Sequence, residues 1–222
     1  MNDGRVLILC PMAVERRAVE RALRRAMLVN VRVVQTGIGA PAITRAVERA
    51  APDRPALMLL AGVCGGLTEV PDVPPLARIV DEHGGAWSNF VGAVPGGATL
   101  VGLDRIVDTP GAKQALALAT GAAVVDMESH AFARRCEALG IPWGVVRGVS
   151  DTPGERLPAE ILGWITPRGD TRVWRAVRDM ALAPGHIPHI IRFARRSGRV
   201  LPAVASRVIE VIQSCSAALT GA

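Results

Sequence analysis

Two carboxylates of this 222-residue chain stand where chemistry is done in α/β proteins. Glu128 lies in Val124-Val125-Asp126-Met127-Glu128-Ser129, and Asp151 ends Val145-Val146-Arg147-Gly148-Val149-Ser150-Asp151, so each follows an apolar run. In open α/β sheets ligands bind at the carboxyl ends of strands, and the two groups are expected to face one crevice as parts of successive strands of a βαβ unit. Two carboxyl groups at one site can divide labour, one protonated as an acid and one ionised. Taken singly, either is more commonly a helix cap or a turn residue. Glu15, in Pro11-Met12-Ala13-Val14-Glu15, reads by itself as an exposed carboxylate of a first helical turn, favoured there by the helix dipole.

The elements that must position these groups follow from periodicity. Apolar runs at 6–10, 31–34, 56–61, 78–80, 98–107, 122–125 and 143–149 read as strands, and helical spacing predicts helices at 12–23, 41–50, 110–119 and 128–139. Continuous rather than alternating hydrophobicity, as in 56–61, implies strands covered on both faces. The expectation is a three-layer α/β/α domain around a central mixed sheet, with residues from 157 onward helical. Residues 1–183 form the body and 184–222 a basic helical extension of the same domain. Thr68 to Pro75, with three prolines, reads as a surface loop.

Composition excludes several classes. The 26 basic residues against 20 acidic give +6, yet Lys113 is the single lysine, tyrosine is absent and there are three phenylalanines. Nucleic-acid surfaces concentrate charge and interleave aromatics for stacking, which this pattern lacks. Cys10, Cys64, Cys136 and Cys215 are widely spaced, and no secretory pattern opens the sequence, so a reducing cytoplasm is expected. His83, His130, His186 and His189 have no metal-ligand spacing; neither metal nor cofactor is expected.

In order along the chain come Pro11-Met12-Ala13-Val14-Glu15, Thr36-Gly37-Ile38-Gly39, Gly62-Val63-Cys64-Gly65-Gly66-Leu67, Asp126-Met127-Glu128 and Val145 to Asp151. This series resembles the purine nucleoside phosphorylase and methylthioadenosine/adenosylhomocysteine nucleosidase superfamily. Gly102 to Val107, Thr109-Pro110-Gly111-Ala112-Lys113, Thr120-Gly121-Ala122 and Leu157-Pro158 are most similar to its hopanoid-associated branch, the adenosylhopane nucleosidases.

The resemblance implies a nucleoside-phosphorylase-like fold, a homodimer and cleavage of a purine N-glycosidic bond. Such cleavage leaves positive charge on the sugar and negative charge on the departing base, so the site must protonate one and stabilise the other. Asp151 is implied as the acid at purine N7, oriented by Ser150. Glu128 is implied on the ribose hydroxyls and Met127 against the sugar. Glu15 is the residue that activates water in the hydrolytic nucleosidases; Arg16 and Arg17 beside it would instead hold phosphate in a phosphorylase. Gly37 and Gly39 would present backbone N–H groups to the sugar or nucleophile, while Cys64, Gly65, Ile106 and Val107 would line the base pocket.

Two departures bear on this. Pro71-Asp72-Val73-Pro74-Pro75 replaces the family's Gly-Asp, and the 81–97 segment is short, which opens the pocket to a bulky 5′ group or marks a degraded, non-catalytic binder of nucleosides. In the 184–222 tail, Arg192, Arg195, Arg196, Arg199 and Arg207 stand against Glu210, interleaved with Ile187, Ile190, Ile191, Phe193, Val200 and Leu201. Such a segment suits peripheral contact with an anionic inner-membrane surface, or helices docked on the domain with solvated arginines.

Overall fold

Strands without a polar face must be covered on both sides, and this dictates the layering. The structure, a computed structural model, describes residues 6–90, 96–157, 166, 168–170 and 187–220, excepting the side chains of 187–194 and 216–220. Its strands are β1 (Val6–Cys10), β2 (Val31–Gln35), β3 (Leu57–Gly66), β4 (Leu76–Val80), β5 (Ala86–Ser88), β6 (Ala98–Gly102), β7 (Val124–Asp126) and β8 (Trp143–Asp151). Its helices are α1 (Ala13–Arg25), α2 (Ala40–Ala50), α3 (Pro110–Thr120), α4 (Ser129–Ala138) and α5 (Ile187–Thr220).

Alternation along the strands builds two cores. Leu7, Leu9, Met58, Leu60, Val145 and Val149 pack with Ile43 and Val47 of α2 and Phe132 and Cys136 of α4. Ile8, Leu59, Ala61 and Val146 pack on the opposite face with Val19 and Leu23 of α1 and Val200, Val204, Val208 and Ile212 of α5. Trp143 and Phe132 meet edge to face, their centroids 6.0 Å apart. The result is the expected α/β/α sandwich around a mixed sheet.

The sheet runs β2-β1-β3-β7-β6-β4-β5, with β8 also on β3. β8 lies parallel along β3 from Met58↔Trp143 to Gly65↔Asp151, whereas β7 meets the other edge of β3 antiparallel, at Gly65 and Gly66. This corrects the expected βαβ arrangement: the strands carrying the two acidic motifs flank β3 and run in opposite directions, so β3 lies between them. The short 81–97 segment contains a strand at 86–88 that was not expected, and β6 stops at Gly102 rather than 107. Residues 91–95 of that segment lie outside the described residues.

Beyond β5, buried Asn89 does the work of a strand. Its amide nitrogen donates to the Leu76 carbonyl (2.8 Å) and the Val145 carbonyl (3.1 Å), and its oxygen accepts from the Val145 N–H (3.0 Å), tying β4 to the free edge of β8. The 68–75 loop adds the Asp72 carbonyl, which accepts from the Val149 N–H at 2.8 Å.

The tail is one long helix where several were expected. It packs against β8, where a methyl group at Gly148 would collide with Val200. Val200 and Leu201 are turned into the core and are unavailable to a lipid surface, while Arg195 and Arg199 are exposed. Ile187, Ile190, Ile191, Arg192 and Phe193 have side chains outside the described ones, as does the 183/184 boundary.

Candidate active site

A pocket of about 160 Å³ opens at the carboxyl end of β3, lined by Pro11, Met12, Glu15, Ile38, Val63–Gly65, Arg105–Val107, Val125–Glu128, Ser150, Asp151 and Leu157. It is of the order that holds one aromatic ring. Of the residues expected to contact substrate, Glu15, Cys64, Gly65, Ile106, Val107, Met127, Glu128, Ser150 and Asp151 line it. Residues on adjacent positions of a regular strand face opposite ways. The register of β8 on β3 slips between Cys64 and Gly65, a bulge that lets both Ser150 and Asp151 reach one cavity.

At one end of the pocket Asp151 is buried and ion-paired with Lys113, whose side chain has no exposure. Lys113 Nζ also donates to the carbonyls of Thr152 (2.7 Å) and Glu155 (3.0 Å). The Ser150 hydroxyl lies within hydrogen-bond reach of Asp151 Oδ1 (2.8 Å) and the Cys64 carbonyl (3.0 Å). Burial raises the Asp151 pKa from its ordinary value, against the pull of Lys113 and Ser150. Cys64 is neutral there, because burial pushes its thiol well up, and so it is a wall rather than a nucleophile.

The other end is built on Arg147, an arginine in the middle of a fully buried strand. Its guanidinium donates to Asp126 Oδ2 from Nε (2.7 Å) and to Glu128 Oε2 from Nη2 (3.1 Å), with Nη2 also ion-paired to Asp126 at 2.6 Å. Burial works against its charge, but Asp126, Glu128 and Glu15 more than offset this and hold it protonated. Among the described residues Nη1 has no hydrogen-bond partner. A methyl group at Gly62 would occupy the space shared by Nη1 and the Glu15 carboxylate, so only glycine leaves the two facing.

Glu15 is 1% exposed, not the solvated first-turn carboxylate its position alone suggests. It accepts from the Val63 N–H (2.9 Å) and reaches back to the Met12 N–H (2.8 Å), capping α1. Burial pushes its pKa up to about 7 despite Arg147 and these two bonds. Burial likewise raises Glu128, with Arg147 pulling the other way.

Gly37 and Gly39 are the correction among the expected site residues. Their φ angles of 90° and 88° explain why glycine is needed, but neither N–H is offered to a ligand. Gly37 donates to the Pro11 carbonyl (3.2 Å) and Gly39 to Glu128 Oε1 (2.8 Å). Ile38 between them is the one that faces the cavity. Arg16 is paired with Glu20 at 2.7 Å, Arg17 is exposed, and neither reaches the pocket.

Three residues were missed. Arg147 could have been found, because an arginine inside a continuous apolar strand is buried only if paired. Asp126, lining the pocket and capping α4 through the Ser129 N–H (3.0 Å), was visible only as part of a motif. Lys113 sits on the apolar stripe of α3 with Leu116, and its identity as the one lysine was the available signal.

Known proteins share this fold. A futalosine hydrolase of Thermus thermophilus is 38% identical over 87 residues, which is 38% of this chain and 37% of that enzyme's length. Among solved structures, a Helicobacter pylori 5′-methylthioadenosine/S-adenosylhomocysteine nucleosidase bound to butyl-thio-DADMe-Immucillin-A superposes with a TM-score of 0.68 at 16% identity, covering 95% of this chain and 98% of that one. The futalosine hydrolase of H. pylori gives 0.66 at 15%, with the same coverages. The chain has the fold of these nucleosidases, and over residues 91–180 it matches the Phosphorylase superfamily.

Proposed function

We propose that this chain is a nucleosidase that hydrolyses the N-glycosidic bond of a 5′-modified adenosine and releases adenine. The observation that carries the reading is one apolar pocket with a buried Asp151, whose pKa burial raises, at one end and a buried Glu15, raised to about 7, at the other. Asp151 gives its proton to purine N7 as the bond breaks. The ribosyl cation forms beside Glu128 and Met127, and Glu15, ionised, takes a proton from the attacking water. Hydrolysis is favoured over phosphorolysis because Arg16 and Arg17 point away from the cavity.

The preferred substrate is adenosylhopane, on the likeness of residues 102–122 to the hopanoid-associated branch and the apolar lining around Ile106, Val107 and Leu157. Futalosine is the second reading, supported by the identity to the Thermus enzyme and by Arg105, a cation at the pocket wall. The enzyme is expected to act as a cytoplasmic homodimer, touching anionic membrane through exposed Arg195 and Arg199. Adenine release from a 5′-alkyl adenosine and from futalosine, with and without phosphate, tests the whole reading. Strict phosphate dependence would make it a phosphorylase, and binding of adenosines without base release a non-catalytic relative.

A further inference from the structure

Lys113 is the one lysine among 26 basic residues and it is buried completely. It lies in the first turns of α3, which Thr109 caps, where the helix dipole opposes a cation as burial does. An ammonium has three hydrogens, and here all three are directed at protein acceptors: Asp151, the Thr152 carbonyl and the Glu155 carbonyl. None remains for a ligand, so whatever Lys113 does to the pocket it does through Asp151. The charged or titratable groups facing Asp151 are Lys113 from α3, Glu155 from the turn after β8 and Cys64 from β3.

We infer that Lys113 is a positioning residue for departure of the base: it holds the Asp151 carboxyl and the 152–155 turn in place and neutralises the carboxylate that Asp151 becomes. The inference rests on Asp151 being the acid. As the C1′–N9 bond breaks, its electron pair stays with the purine and the Asp151 proton passes to N7. The base leaves neutral, Asp151 is left anionic against the ammonium, and the ribosyl cation takes hydroxide from water whose proton goes to Glu15. Without Lys113 a new charge would form in a buried site with no counter-charge. The contribution of Lys113 therefore scales with how much the leaving group needs a proton.

Two substrates separate this from mere support of the fold. Lys113→Met should lower kcat/KM for 5′-methylthioadenosine by about 10²-fold or more, but by less than about five-fold for p-nitrophenyl β-D-riboside, whose leaving group departs unprotonated. Lys113→Arg should recover part of the first loss. In a cycle with Asp151→Asn the double variant should be no slower than Asp151→Asn alone, since one residue acts through the other; it also removes both buried charges, guarding against misfolding of the single variant. Equal losses on the two substrates, no loss on the nucleoside, or additive losses would overturn the inference.

A readout independent of turnover uses the single lysine. Protein labelled with 15N at lysine Nζ carries one side-chain signal, which should step with pH as Asp151 titrates, and the step should vanish in Asp151→Asn. A signal indifferent to Asp151 overturns the pairing. Wild-type protein inactive on both substrates would defeat the nucleosidase reading, leaving the titration alone to decide whether Lys113 is the charge partner of Asp151.

Discussion

The two ends of the pocket solve the same problem with different charge ratios. At the Asp151 end one buried cation faces one carboxylate; at the Glu15 end one buried cation, Arg147, is shared by Asp126, Glu128 and Glu15. Arg147 bonds two of its three carboxylates directly and leaves Glu15 to backbone N–H groups. A carboxylate short of counter-charge in a dry site holds a proton to higher pH, which is what a base working near neutrality requires. Burial raises Glu15 and Asp151 alike, and the contrast lies in what opposes it: a direct ammonium partner at Asp151, and at Glu15 a guanidinium already bonded to two other carboxylates.

The harshest way to break the contrast is to remove the shared cation. Arg147→Met should destabilise the fold by about 3–5 kcal/mol, because it strands buried carboxylates without a partner. Urea denaturation at pH 7 measures it, and a loss below about 1 kcal/mol would show that those carboxylates are already protonated.

Next in size is Glu15, the proposed base. Glu15→Gln keeps the shape of the corner and should lower base release by about 10²- to 10⁴-fold while the protein stays folded. Gly62→Ala, which crowds Glu15 and Arg147 apart without removing either, should also abolish most activity. Activity that survives both changes would place the nucleophile elsewhere.

A pH series sharpens the same point. The folded pKa of Glu15, about 7, lies above its ordinary value of 4.5, so its protonated form stabilises the fold fully below pH 4.5. That stability is lost as pH rises through 7, a decline of about 3 kcal/mol. Unfolding free energies of wild type and Glu15→Gln between pH 4.5 and 8 should diverge by this amount, while kcat/KM of the wild type climbs through pH 7 as Glu15 ionises. Parallel stability curves would contradict the burial argument.

The smallest effect is expected outside the pocket. Arg16→Gln with Arg17→Gln should leave base release within about two-fold, as the loss of an exposed ion pair is worth under about 1 kcal/mol. A large drop, restored by phosphate, would revive phosphorolysis.

Much of this was legible beforehand, for identifiable reasons. The apolar runs at 6–10, 56–61 and 143–149 announced doubly covered strands, because a buried strand tolerates no polar face. Glu128 and Asp151 were recognisable from the apolar runs they follow, whereas Glu15, which by itself reads as a solvated first-turn carboxylate, was singled out only by the family resemblance. Gly37 and Gly39 were correctly seen as backbone necessities but given the wrong partners: their N–H groups bond the Pro11 carbonyl and Glu128, 26 and 89 positions away.

Local composition and period determined the strands, helices and layers, since these depend on which side chains seek cover within a few residues of one another. The direction of β7 against β3, the bulge that aims Ser150 and Asp151 together, the sharing of Arg147 and the burial of Lys113 against Asp151 were decided only in three dimensions. Each depends on distances between residues 19 to 132 positions apart, and on the exclusion of water from the space between them. That exclusion raises the pKa values of Glu15 and Asp151, and a one-dimensional pattern does not contain it.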